Sequence, residues 1–246
     1  MSSVQMPTTK RNEAPIGNAR IAGTLYLVIA ALAGFAHYSR TSYFSSGDAV
    51  AVAKRIMASD SLFRLTIVSD LAGQVCHVFL ILSLYHLLKI VNKKHAALMA
   101  VLALIPVPIA CLNMNNQFAA LALLSGDSYL KVFDINRIDA QVMFLLNSHT
   151  SGVFIAQIFW GLWLFPLGYL VFRSRFLPKA LGVLLAFGGI VYILGSLLFF
   201  QFPKIVSSFE AMYIVPAVAE IAFPVWLVVR GINKEKWQKL AFASAE

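Results

Sequence analysis

Residues 62–88 read LFRLTIVSDLAGQVCHVFLILSLYHLL, and the reading of this stretch decides the fold. It is longer than the roughly 20 residues that cross a bilayer as a helix. Yet Asp70, Gln74 and His77 sit in its middle, at spacings of four and three that place them on one helical stripe. An ionisable group in hydrocarbon costs roughly 2.5–3.5 kcal/mol even on insertion scales. The stripe must therefore face a protein interior or a water-filled cavity, and it is the first candidate for a functional site.

Composition agrees with a membrane helix. The 246 residues are 59% hydrophobic and 13% charged, with a mean hydropathy of +0.76. Soluble domains carry about 25% charged residues. A net charge of +9 raises the question of nucleic acid, but the basic residues recur at helix ends instead of gathering on one module. Membrane topology and anionic lipid account for them, and no nucleic-acid partner is expected. Cys76 and Cys111 lie inside apolar spans with no CxxC or zinc-type spacing, and read as packing residues.

Six spans follow: Arg20 to Tyr38, Leu62 to Leu88, Ala96 to Leu124, Thr150 to Phe172, Leu177 to Phe200 and Tyr213 to Val229. The fold class is thus all-α, a polytopic six-helix membrane bundle spanning residues 18–232. Pro106 and Pro108 predict a kink in the third helix; Pro166, Pro216 and Pro224 fall in the fourth and sixth. Thirteen of the twenty Lys and Arg flank one set of helix ends, including Lys89, Lys93, Lys94, Arg173, Arg175, Lys179 and Arg230. The positive-inside rule places both termini in the cytoplasm, at an inner membrane. Residues 1–17 are polar and expected to be disordered. Residues 233–246 form a basic tail, with Lys234, Lys236 and Lys239 suited to an anionic leaflet. The run Ile21 to Ala36 with Ala31-Leu32-Ala33 imitates a secretory signal. It is long enough to span, so retention of the first helix is expected.

Two distal connections exceed simple turns. Asp48 is placed to cap a short helix with Ala49, Val52, Ala53 and Ile56 on one side. Between Asp127 and Ser148, apolar Ile138, Val142, Leu145 and Leu146 alternate with Asp139, Gln141 and Asn147 at helical spacing. Both segments read as short amphipathic elements at the extracytoplasmic interface.

With these landmarks laid out, a family resemblance is visible. Arg20-x-Ala22-Gly23-x-x-Tyr26 opens the first span, and Leu62-Phe63-Arg64 with Asp70 opens the second. Leu84-Tyr85-x-Leu87-Leu88-Lys89-x-Val91-Asn92 closes that span. Phe159-Trp160-Gly161-Leu162-Trp163-Leu164 precedes Gly168-Tyr169-Leu170, then Ser174-Arg175-Phe176-Leu177-Pro178-Lys179 and Leu181-Gly182. The last span carries Pro216, Glu220, Trp226-Leu227 and Gly231. Over about residues 18–232 the chain resembles a bacterial family of small polytopic membrane proteins of unknown function. The resemblance implies the six-span architecture and no activity.

Helical phase and depth gather the remaining polar residues. His149, Gly152, Ala156 and Trp160 form a stripe on the fourth helix with Gln157 beside it; Glu210, Tyr213 and Glu220 share a face near the sixth. Asn113, Asn116 and Gln117 converge on the third. The expected binding set is Asp70, Gln74, His77, Asn113, Asn116, His149, Gln157, Trp160, Tyr213 and Glu220, an outward-facing polar pocket. The leading expectation is binding or translocation of a small amphipathic or lipid-like molecule, linked to protons through Asp70, His77 and Glu220. A metal-dependent intramembrane hydrolase, with a divalent metal on His77, His149, Asp70 and Glu220, is the alternative. No HExxH, HxxxH, P-loop, GxSxG or GxGxxG is present to favour an enzyme. A third reading has the acids merely tying helices together, or serving a partner in the bilayer. Ala30-x-x-x-Gly34 and Gly182-x-x-x-Ala186 permit close helix approach, within one chain or in a homo-oligomer.

Overall fold

The computed structural model describes residues 8–44 and 47–243, with side chains for 17–43 and 47–242. The elements are α1 (Thr8–Phe44), α2 (Ala49–Ala58), α3 (Asp60–Leu88), α4 (Lys93–Leu104), α5 (Pro106–Leu123), α6 (Ile135–Arg173), α7 (Lys179–Gln201), α8 (Val206–Phe209), α9 (Ile214–Val229) and α10 (Lys234–Ala243). Short 3-10 turns cover Ser128–Val132 and Glu210–Tyr213. No strand occurs among the described residues. Six helical stretches are long and apolar enough to cross a membrane, as the hydropathy predicts.

Local chemistry sets the boundaries. Asp48 accepts from Ala51 N at 3.1 Å and starts α2, which buries Val52, Ala53 and Ile56 as expected. Asn92 accepts from His95 N at 3.0 Å and starts α4. The third span divides at Ile105. Pro106 and Pro108 lack the N–H groups that the Leu102 and Leu104 carbonyls need, so the helix breaks there. Gly231 ends α9 with φ of 65°, a left-handed position that glycine adopts without steric penalty.

Three segments take a form that the hydropathy alone does not specify. Helix α1 begins at Thr8, ahead of the expected first span; residues 1–7 lie outside the described ones. The second amphipathic segment is not a separate interfacial element. It is the first third of α6, a 39-residue helix that no proline interrupts before Pro166. The basic tail forms helix α10, whose Trp237 donates to the Leu87 carbonyl at 3.4 Å and packs with Leu240 on the core; residues 244–246 are outside the description.

The spans close a ring: α1 packs on α3 and α9, α3 on α4 and α5, these on α6, α6 on α7, and α7 on α9. Helix α2 lies against α6. The α6–α7 seam is built on two glycine pairs. A Cβ on Gly168 would stand 2.6 Å from the Gly182 carbonyl, and one on Gly161 2.8 Å from the Gly189 carbonyl. Backbones this close permit extensive dispersion contact, the packing currency available inside a bilayer. Leu65, Val68, Val75, Phe79 and Leu82 point outward from α3, an arrangement suited to lipid and not to water.

Two apolar clusters fill the ring. The larger, toward the basic helix ends, contains Ala22, Tyr26, Leu84, Met99, Trp163, Leu167, Leu185, Phe223 and Leu227. The smaller, toward the opposite or distal end, contains Tyr43, Val52, Ile56, Phe63, Ile67, Met114, Leu121, Val142 and Leu146. On α3 the second cluster ends at Ile67 and the first begins at Leu80. Asp70, Gln74 and His77 lie between them.

Candidate functional site

The interval between the clusters is a layer of polar side chains contributed by α1, α3, α5, α6, α7 and α9. Its floor is aromatic. Trp163 is fully buried, with the His77 ring at 5.7 Å and the Tyr26 ring at 6.0 Å between centroids. Tyr26 in turn donates to Glu220 Oε1 at 2.6 Å, and Tyr192 donates to Glu220 Oε2. One carboxylate thus gathers α1, α7 and α9 through two phenols.

Three further sets form the walls. Arg40 of α1 pairs with Asp70 of α3. On the α5–α6 side, Asn113 Nδ2 donates to the His149 carbonyl at 2.8 Å, and Asn116 Nδ2 to Asn113 Oδ1 at 2.9 Å. Gln117 Nε2 approaches His149 Nε2 to 2.9 Å. Gly152 makes this crossing feasible, because a Cβ there would collide with the Asn113 amide. On the α6–α7 side, Gln157 Nε2 reaches the Tyr192 carbonyl at 3.0 Å, Ser196 Oγ at 3.1 Å and the Tyr213 hydroxyl at 3.0 Å. Gly195 leaves the space that the Tyr213 hydroxyl occupies.

Some polar groups in the layer have no protein partner. His77 Nε2 and Gln117 Oε1 are buried and unbonded. Gly73 is buried on the stripe one turn from His77, yet a Cβ there would meet nothing within 4 Å. Helical side chains lean toward the N-terminus, so the His77 ring leans toward this open space. Gln74 is half-buried and takes no side-chain hydrogen bond among the described residues. An unsatisfied buried polar group costs about 1–3 kcal/mol.

Beside Gln74 and His77, the other eight expected binding residues are distributed as follows. Asn113, Asn116 and His149 meet in one network, Gln157 and Tyr213 in a second, and Asp70 and Glu220 have separate partners. Trp160, half-buried, packs on the larger apolar cluster. Of the expected metal set, Asp70 contacts Arg40, Glu220 contacts Tyr26 and Tyr192, and His149 contacts Gln117. No three His, Cys, Asp or Glu converge as a ligand group among the described residues. Three members were missed by sequence. Arg40 lies past the expected end of the first span, and a carboxylate at mid-span signals a missing counter-charge. Tyr26 and Tyr192 read as ordinary aromatics of apolar helices.

Fold and layer together define a class, a multi-pass α-helical membrane protein with a polar layer between apolar halves. The chain belongs to the family described as Domain of unknown function (DUF4386), whose model matches residues 21–231. An uncharacterised protein of the archaeon Archaeoglobus fulgidus is 33% identical over 86 residues, 35% of this chain and 50% of the relative. The matched segment thus spans about half the length of that relative. No solved structure matches the chain.

Proposed function

We propose that this protein resides in a cytoplasmic membrane with both termini inside. Its polar layer would bind, or pass across the bilayer, a small and partly apolar molecule reached from the extracytoplasmic side. The observation that carries this reading is the pair of buried, unpartnered polar atoms, His77 Nε2 and Gln117 Oε1, with open space beside Gly73. A ligand or its escorting water would satisfy both groups, whereas an empty layer leaves their desolvation uncompensated. Aromatic walls with a few convergent polar groups suit a ligand of mixed polarity. Asp70, His77 and Glu220 are the proton-responsive members. For the metal-dependent hydrolase, no three His, Cys, Asp or Glu converge among the described residues.

Native mass spectrometry of protein extracted in mild detergent tests this reading. A discrete adduct is expected on the wild-type chain and a bare mass on the His77→Leu, Gln117→Leu double variant. Bare wild-type protein across several mild detergents would count against it.

A further inference from the structure

Resting on that binding reading, we propose that the ligand class is a lipophilic organic cation, an amine or quaternary onium, entering between α1 and α9 and seating on Glu220. The entry comes from the geometry of two glycines. At Gly23 the helices touch: a Cβ there would lie 2.8 Å from the Pro224 carbonyl and 2.9 Å from Leu227 Cβ. Three turns further along α1, Gly34 has nothing within 4 Å. The α1 face is thus covered by α9 at Gly23 and uncovered at Gly34, leaving a gap toward the distal end. Tyr26 and Glu220 stand about one turn above the crossing, at the covered end of the gap.

The walls are small and apolar. Ala30, Ala33, Gly34 and His37 share the face of α1 that carries Tyr26. Ala33, Gly34 and His37 are exposed there, whereas Ala22 and Tyr26, lower on that face, are buried. The Ala30-x-x-x-Gly34 spacing is accordingly not spent on helix packing in this chain.

Charge supplies the ligand chemistry. Among the described residues Asp70 pairs with Arg40 and Asp60 with Arg64, but no basic side chain pairs with Glu220. Its two partners are neutral phenols. An intramembrane carboxylate without a counter-ion is completed by a proton or by a cation, and an anion would be repelled. Glu220 remains partly exposed, as do Tyr192 and Tyr213, whose rings lie 6.2 Å apart. Aromatic faces beside a carboxylate suit an onium group, which gains cation–π attraction without needing a hydrogen-bond donor. Apolar substituents would occupy the small-residue gap.

Binding then exchanges one proton for one cation at Glu220: the carboxyl O–H bond breaks, the proton leaves to water, and the monocation takes its place. The titratable groups facing Glu220 are Tyr26 from α1 and Tyr192 from α7. Tyr213 faces Tyr192 from the turn before α9, and His37 stands at the distal end of the α1 face. Over the range where Glu220 is protonated without ligand, affinity should rise about tenfold per pH unit.

The test is equilibrium binding to the full chain in phosphatidylcholine nanodiscs, using radiolabelled tetraphenylphosphonium. Tetraphenylborate, of similar shape and opposite charge, and neutral N-phenyl-1-naphthylamine are run beside it. Saturable phosphonium binding is expected, strengthening with pH, releasing one proton per cation, and weakened about tenfold or more by Glu220→Gln. Gly34→Leu should weaken it similarly by filling the gap, with unfolding unchanged, which covers the case of a misfolded Glu220 variant. Preference for borate, or phosphonium binding indifferent to both substitutions, would overturn the cation assignment. Saturable binding of the neutral probe alone would overturn it while leaving the wider binding reading standing. Failure of all three probes, with a bare native mass, would remove both.

Discussion

Tyr26 and Glu220, 194 residues apart, meet across α1 and α9 in a 2.6 Å hydrogen bond. This contact makes the first helix part of the bundle, since cleavage of a signal after Ala33 would remove a partner of the buried acid. Tyr26→Phe should destabilise the protein by about 0.5–1.5 kcal/mol, the net range for a hydrogen bond between uncharged groups. Tyr192→Phe should do the same. Unfolding by SDS, followed by tryptophan fluorescence, checks both. In a Glu220→Ala background the Tyr26→Phe loss should shrink clearly, because the acceptor is gone.

The Arg40–Asp70 pair joins α1 to α3, with both side chains largely shielded. Removing one partner strands the other, at a cost of about 3–5 kcal/mol for a buried pair and less to the extent that water reaches it. Arg40→Ala and Asp70→Ala should each destabilise strongly, and the double variant should be more stable than their sum implies. Additive losses would mean that the pair does not form.

The two glycine contexts give opposite expectations. Gly168→Val drives a side chain into the Gly182 backbone and should cost about 1–3 kcal/mol or more. Gly34→Val enters open space and should leave unfolding nearly unchanged. Thermal aggregation in detergent distinguishes them.

Topology is open to direct labelling. In a Cys76→Ala, Cys111→Ala background, Gly47→Cys lies at the distal end and Lys94→Cys at the basic end. A membrane-impermeant maleimide added to intact cells should modify Gly47→Cys alone; the reverse pattern would invert the proposed orientation.

Much of the architecture was legible because a bilayer imposes simple rules of length, apolar composition and basic flanks. The Asp70–Gln74–His77 stripe and the Asn113, Asn116, Gln117 face were legible for the same reason, since polar groups in apolar helices stand out. The neighbours were harder. Periodicity says which way a residue points along one helix and not which helix it meets, so the Arg40, Tyr26 and Tyr192 contacts became visible only in three dimensions. The length of α6 was hidden because hydropathy falls over residues 135–148 while helix formation continues. A drop in apolarity does not end a helix that has packing partners and no proline.

The central claim is that the polar stripe of α3 faces an accessible polar space and not lipid or a sealed core. Gln74→Cys and its neighbour Val75→Cys, in the same cysteine-free background, test it most directly. The reagent is the water-soluble cation 2-(trimethylammonium)ethyl methanethiosulfonate, which reacts with hydrated thiolates. Gln74 is half-buried within the layer, whereas Val75 points outward among the lipid-facing residues. Modification of Gln74→Cys from the distal side, with Val75→Cys unreactive, is the predicted result. Equal inertness of both positions would contradict the account.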